Sequence, residues 1–352
     1  MSETLDKPLL QVVLQRHGLL QTDEEIQMRS LGGGVSNHVL LVETPRQALV
    51  IKQSLPKLRV AMDWYADQSR IWRERDYLRL VQTILPANVP HVLFSDDEHY
   101  LLGMSAVSHS VMWKQLLLDG QCDPEIVGEA ARLLAVIHSY TYQHPELADP
   151  FRRKLLRSQD SFEQLRIDPY LRTIARRHPD RAATIDTIIR AMEANVIALV
   201  HGDYSPKNIL ARIGAGPTPA LTILDAEVAH WGDPTFDVAF CINHLLLKAV
   251  YHHPNAILFL TGAEHFWQTY QLAVQPPGLA EAVSERLSGQ VAALLLARID
   301  GKSPVEYLVG DTTGQTLVRN AARALLARYP VLTFAQIIDE VKARLNSVDG
   351  RQ

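Results

Sequence analysis

Three side chains between Val200 and Phe240 carry oxygen atoms at a spacing suited to one kind of chemistry. The stretch reads VHGDYSPKNILARIGAGPTPALTILDAEVAHWGDPTFDVAF, with Asp203, then Asn208, then Asp225 at the end of an apolar run beyond a turn. Phosphoryl transfer from a magnesium nucleotide needs an acceptor for the attacking hydroxyl's proton and two oxygen ligands that hold the metal on the phosphates. Asp203 suits the first task, and Asn208 with Asp225 suits the second.

These residues need elements that place them together. An apolar run ending in His201-Gly202-Asp203 sets the Asp at the end of a buried strand or turn. Ile209 to Ile213 and Leu221 to Leu224 read as paired strands around the turn GAGPTPA, which returns Asp225 beside Asn208. Lys207 sits either on the γ-phosphate or in solvent. Asp237, in GDPTFD, reads as an acceptor that caps the loop.

The nucleotide needs a grip as well. IQMRSLGGGVSNHVLLVET, from Ile26, predicts a strand, a Gly-rich turn and a second strand, followed by the strand ALVIK ending at Lys52. Gly33 and Gly34 let backbone N–H groups approach phosphate oxygens, and Ser36 and Asn37 add side-chain donors. Lys52, at the end of a strand after such a hairpin, is placed for the α- and β-phosphates. From Asp67 a helix is predicted with Ile71, Tyr77, Leu78 and Val81 on its apolar side. Its Glu74 either pairs with Lys52 or forms a surface pair with Arg70. Strands over 89–94 and 100–104 then lead to a hinge, where the adenine is expected against backbone groups of Met104 and Ala106.

The remainder sets bounds. The chain has 352 residues, enough for two lobes, with 47% hydrophobic and 21% charged residues, and this excludes a disordered protein. A net charge of -4 gives no reason to expect nucleic acid or an anionic membrane. Residues 151–190 hold ten Arg/Lys and five Asp/Glu with only Phe151, Phe162 and Tyr170 among them, too few aromatics for base stacking, so solvated helix faces are the expectation. Cys122 and Cys241 lie far apart without ligand spacing, which fits neither a disulfide framework nor a zinc site. There is neither a signal-peptide pattern nor an apolar run of about 18 residues, so a cytoplasmic protein without a membrane partner is expected. A short leading helix ends near Gly18, and Asp123-Pro124 opens a helix whose His138 is a core or capping residue. In LLARIDGKSPVEYL, Arg298 and Asp300 either face an acceptor cleft or close a helix end.

HGDYSPKNIL and ILDAEVAHWGDPTFD, with LGGGVSN and VIK before them, resemble the aminoglycoside phosphotransferase and choline kinase superfamily over about residues 26 to 310. VIKQSLPKLRV is similar to the methylthioribose kinase family. The resemblance implies an α+β, bilobal protein-kinase-like fold. A small β-rich nucleotide-binding lobe (1–104) would precede a larger, mainly helical catalytic lobe (105–352). It implies ATP or GTP with Mg2+, a small-molecule hydroxyl substrate and a monomer or homodimer. Asp203 would orient the hydroxyl or take its proton, Asn208 and Asp225 would ligate magnesium, and His201 would anchor the loop. Two departures stand out. Ala226-Glu227 replaces the Phe-Gly that follows the metal-binding Asp in protein kinases, which frees Glu227 for substrate or a second metal. Gly202 removes the Arg that would meet a phosphorylated activation loop.

Overall fold

The computed structural model describes residues 5–32, 36–59, 63–154, 160–212, 214 and 220–349. In chain order the smaller lobe comprises α1 (Lys7–Arg16), β1 (Gln27–Ser30), β2 (Asn37–Glu43), β3 (Ala48–Ser54), α2 (Arg70–Ile84), β4 (Val92–Asp96) and β5 (Leu101–Ser105). Its strands form one antiparallel sheet in the order β1-β2-β3-β5-β4. Alternation along β2 and β3 sends Val42, Leu49 and Ile51 to one face, where Leu10, Val13 and Leu14 of α1 cover them. Asp6 caps α1 by accepting from the Leu9 N–H, with Pro8 in the first turn. α2 begins three residues later than the sequence predicts, because Asp67 spends its carboxylate on the Ser69 N–H in a turn of its own.

The larger lobe starts with β6 (Val111–Met112), α3 (Trp113–Leu118) and α4 (Pro124–Gln143). A wide π-helical segment, Glu163–Arg172, then runs into α5 (Thr173–Arg177), followed by α6 (Ala182–Ala194). β7 (Ala198–Val200), β8 (Ile209–Arg212), β9 (Ala220–Ile223) and β10 (His230–Gly232) frame the catalytic segment. The chain closes with α7 (Thr235–Tyr251), α8 (Ile257–Ala273), α9 (Pro277–Asp300), α10 (Thr312–Arg328) and α11 (Phe334–Asp349). α7 is buried from Thr235 to Val250 and forms the axis on which the neighbouring helices pack, so it is apolar nearly all round. β8 pairs antiparallel with β9, setting Ile209 opposite Ile223, and β7 pairs with β10. Among the described residues no helix is long and apolar enough to cross a membrane.

Candidate active site

The catalytic loop is pinned before it does anything. Asp237, at the start of α7, accepts the N–H groups of His201 at 2.6 Å and Gly202 at 2.8 Å. Behind it His138 Nε2 lies 3.4 Å from the same carboxylate, and His138 Nδ1 lies 2.9 Å from the Tyr270 hydroxyl. His138 is thus a buried link in this chain of contacts. His201 Nδ1 accepts from the Asp203 N–H, which leaves Nε2 to donate to the Leu224 carbonyl at 2.9 Å. Burial favours this neutral ring and pulls its pKa down, against the pull of Asp237 and Asp203. Gly202 has φ +76, and a Cβ there would meet the Val228 carbonyl at 2.8 Å. The position therefore selects glycine sterically, whatever role an Arg has elsewhere.

Asp237→Asn tests this anchoring. An amide keeps one acceptor oxygen and turns an NH2 toward backbone donors, so one buried N–H is orphaned. We expect a loss of about 2–4 kcal/mol in chemical denaturation, together with reduced phosphate transfer. Unchanged stability would show that the loop is held by other contacts.

The structure brings Asp203, Asn208 and Asp225 together as the strand pairing anticipates. Asn208 Nδ2 donates to Asp203 Oδ2 at 2.7 Å and to the Asp203 carbonyl at 3.0 Å, which orients its amide and commits its NH2. The Leu224 N–H donates to the Asn208 carbonyl at 2.8 Å, so Asp225 follows directly beside it. Asp225 adopts φ +64, an uncommon conformation for a residue with a side chain, and its carboxylate is 27% exposed. An amide oxygen and a partly open carboxylate are the hard oxygen donors magnesium prefers alongside phosphates. Asn208 and Asp225 would hold it. Among the described residues no group of three or more His, Cys, Asp or Glu is arranged to do so.

Lys52 bridges the lobes. Its Nζ stands 2.6 Å from Glu74 Oε1 and 2.8 Å from Asp225 Oδ1, so the structure selects the Lys52 partnership for Glu74 over a surface pair with Arg70. One ammonium faces two carboxylates. Burial, with the charges of Asp225 and Glu227, raises Glu74 to about 7 against the opposing pull of Lys52. Asp225 is held well below its ordinary range: burial opposes its charge, and Lys52 followed by Lys207 overcomes that.

Two arginines to which the sequence assigns no role in the site complete it. Arg166 comes from the stretch expected to be solvated, yet it is buried, with Nη2 2.8 Å from Asp203 Oδ1 and Nε donating to the Gly202 carbonyl at 2.8 Å. The Asp203 contact lacks hydrogen-bond alignment, so charge holds it. Lys207 Nζ approaches the other oxygen at 2.9 Å. Burial would raise the Asp203 carboxyl, but Arg166 and Lys207 outweigh it and hold it below the usual carboxylate range. The wide turn carrying Arg166 is of a kind found at functional sites, but no spacing rule marks it in sequence. The second is Arg70, also buried. It donates to Glu227 Oε2 at 3.0 Å, to the Leu55 carbonyl at 2.8 Å and to the Ser36 carbonyl. Arg70, Glu74 and Tyr77 follow helical spacing, and through Glu227, Lys52 and the His201 ring this one face of α2 grips the catalytic segment at three points.

The remaining expected residues fall as follows. Asn37 Nδ2 is spent on Glu227 at 3.0 Å and on Ser36 at 3.3 Å, and Glu227 is occupied by Asn37 and Arg70. Gly33 and Gly34 lie outside the described residues. Met104 is buried in β5 between Val50 and Val92, and the Ala106 N–H already donates to the Ala48 carbonyl at 3.3 Å. Arg298, at the end of α9, binds the Tyr170 hydroxyl at 3.0 Å and Ser303. Asp300 closes α9, as the helix-end alternative expects, and its carboxylate takes a two-pronged bond from Arg319 at 2.7 and 2.8 Å and a contact from His178 at 2.9 Å.

A small antiparallel sheet with its Lys–Glu pair, set over a helical lobe that supplies the Asp, Asn and Asp, defines the bilobal kinase-like α+β fold. The chain belongs to the phosphotransferase enzyme family, whose model matches residues 27–273. Among relatives, the methylthioribose kinase of Exiguobacterium sibiricum is 26% identical over 253 residues, covering 64% of this chain and 62% of its own length. That of Bacillus cereus strain AH187 is 23% identical over 263 residues, covering 67% of this chain and 64% of its own. The match thus spans less than two thirds of these curated relatives. Similar solved structures include a microcompartment-associated aminopropanol kinase, with TM-score 0.56, 16% identity, and 92% and 97% of the two chains covered. The GDP and kanamycin complex of the aminoglycoside phosphotransferase APH(2″)-IIIa gives TM-score 0.55 and 12% identity, with 92% and 98% covered. These likenesses establish the fold.

Proposed function

We propose that this protein transfers the γ-phosphate of ATP to a hydroxyl of a small polar molecule. The observation that carries the reading is the convergence of two contacting pairs, Lys52 with Asp225 and Asn208 with Asp203, joined through the Leu224 N–H on the Asn208 carbonyl. Magnesium held by Asn208 and Asp225 would supply charge neutralisation at the phosphates. Lys52 would lie along the α- and β-phosphates, held in position by Glu74. Asp203 would accept a hydrogen bond from the acceptor hydroxyl and take its proton as the new O–P bond forms and the bond to the leaving nucleotide breaks. A carboxylate with a lowered pKa is a weak base. That suits a loose transition state in which the proton moves late and positioning does most of the work. GTP in place of ATP is compatible with the same phosphate contacts.

A transfer assay with γ-labelled ATP and a library of sugars, amino alcohols, aminoglycosides and hydroxy acids tests the reading; magnesium-dependent nucleotide binding with no phosphorylated product would favour a nucleotide-binding scaffold. Lys52→Met is expected to raise the nucleotide KM at least tenfold, because the phosphates lose their cation while Asp225 and Glu74 are left to repel them. An unaltered nucleotide KM would remove Lys52 from the phosphate site. The methylthioribose kinases supply a second reading, a sugar kinase, favoured by their match over 64% and 67% of this chain.

A further inference from the structure

One region beyond the catalytic loop collects buried side-chain polar atoms that have no hydrogen-bond partner among the described residues. Phe240, His244 and Lys248 recur every four residues on α7 and share one face. At the near end Phe240 lies 5.7 Å from the Arg166 guanidinium, itself seated on Asp203. One turn along, His244 Nε2 has no hydrogen-bond partner among the described residues, and neither amide atom of Asn243 has one. A further turn along, the fully buried Lys248 Nζ also lacks one, standing 3.6 Å from the centroid of Tyr307, whose hydroxyl is likewise unpartnered. The Arg298 guanidinium lies 5.5 Å from the Tyr170 ring centroid and leaves its own Nε without a partner among the described residues.

The charge balance of this region is positive. Arg298 and Lys248 are buried, and the neighbouring carboxylate, Glu306, is engaged by Lys114. Burial, reinforced by Lys114 and Arg298, pushes Lys248 down to about 7. An ammonium kept out of water without a hydrogen-bond partner is costly, and an anion beside it would offset that cost. The acidic residues that would greet a cationic acceptor are spent elsewhere: Glu227 on Arg70, Asp233 on Arg286 and Gln290, and Asp300 on Arg319.

We propose that the Asn243, His244, Lys248, Arg298 and Tyr307 cluster binds an oxyanion of the acceptor, a carboxylate or a phosphate, so that the substrate is an anionic alcohol rather than an amino alcohol or aminoglycoside. This rests on the phosphotransferase reading for the place of the hydroxyl at Asp203. At the helical rise of about 1.5 Å per residue, the anion sits about 6–12 Å farther along α7.

The test is equilibrium binding to the full chain, by calorimetry, of four probes matched in length: 6-hydroxyhexanoate, 6-hydroxyhexyl phosphate, 1,6-hexanediol and 6-aminohexan-1-ol. At least one anionic probe is expected to bind tenfold or more tightly than the diol and the amino alcohol, and the stronger of the two identifies the oxyanion. Lys248→Met should cut that affinity at least tenfold without lowering Tm, since it removes a buried ammonium and keeps the volume. Equal binding of all probes, tighter binding of the amino alcohol, no binding by either anion, or an unaffected Lys248→Met variant would overturn the proposal. Binding is read without turnover, so the two readings fail separately. Absence of Mg2+–ATP binding in a parallel titration would remove the phosphotransferase reading and leave the anion preference standing.

Discussion

Asp203→Asn is expected to lower kcat for phosphate transfer by roughly 10³-fold, about 4 kcal/mol of barrier, while nucleotide affinity changes little. The amide keeps the shape and can still accept a hydrogen bond, but it cannot take the hydroxyl's proton. It also removes the charge that holds Arg166 and Lys207, which stand 2.8 and 2.9 Å from its two oxygens. Arg166 keeps the Gly202 and Leu165 carbonyls as acceptors, so the loop should remain folded. Single-turnover rates with saturating acceptor, alongside nucleotide binding, make the measurement. Wild-type rates would remove Asp203 from the chemistry, and lost nucleotide binding would show that it organises the site instead. Because the wild-type carboxyl is held below its usual range, its ionisation should not limit the rate as pH falls toward ordinary carboxylate values.

Glu227→Ala is expected to destabilise the fold by about 3–5 kcal/mol, because it strands the buried guanidinium of Arg70 without its counter-charge. The double variant Arg70→Met/Glu227→Leu should recover much of that loss, since replacing both members removes the unpaired charge as well as the pair. Urea unfolding of the two singles and the double gives the coupling. The distinction matters for function. A Glu227 that served chiefly to bind the acceptor would instead raise acceptor KM and leave the unfolding midpoint in place. With its Oε2 shared between Arg70 and Asn37, the carboxylate ties the tip of the β1-β2 hairpin and the start of α2 to the residue pair after Asp225. Loosening it should also raise the nucleotide KM, through the hairpin.

The two arginines show where pattern reading stops. Glu74 was legible because a Lys-ended strand followed by a helix leaves few acids at its centre. Arg70, one turn earlier on the same face, looked like a surface partner, although its burial beside Glu227 makes it the second clasp between lobes. Nothing in the chain order of residues 151–190 sets Arg166 apart from the basic residues around it. Its role arises because the Glu163–Arg172 turn sets its guanidinium against the Gly202 carbonyl and Asp203.

The sequence alone determined the chemistry-bearing core. The spacing of Asp203 and Asn208, the strand return to Asp225, the Lys52 strand and the Asp237 cap all follow from local rules: short loops, strand alternation and the backbone needs of a tight turn. Such rules act within a few residues, so they survive without knowledge of the rest of the chain. Only the tertiary structure decided which charges are buried and with whom. Arg70 meets Glu227 across 157 positions, Arg166 meets Asp203 across 37, and Lys248 comes to rest beneath Tyr307 with no carboxylate bonded to it. Ion pairing depends on distances set by packing of α2, α7, α9 and the π-helical turn, and no periodicity encodes those distances.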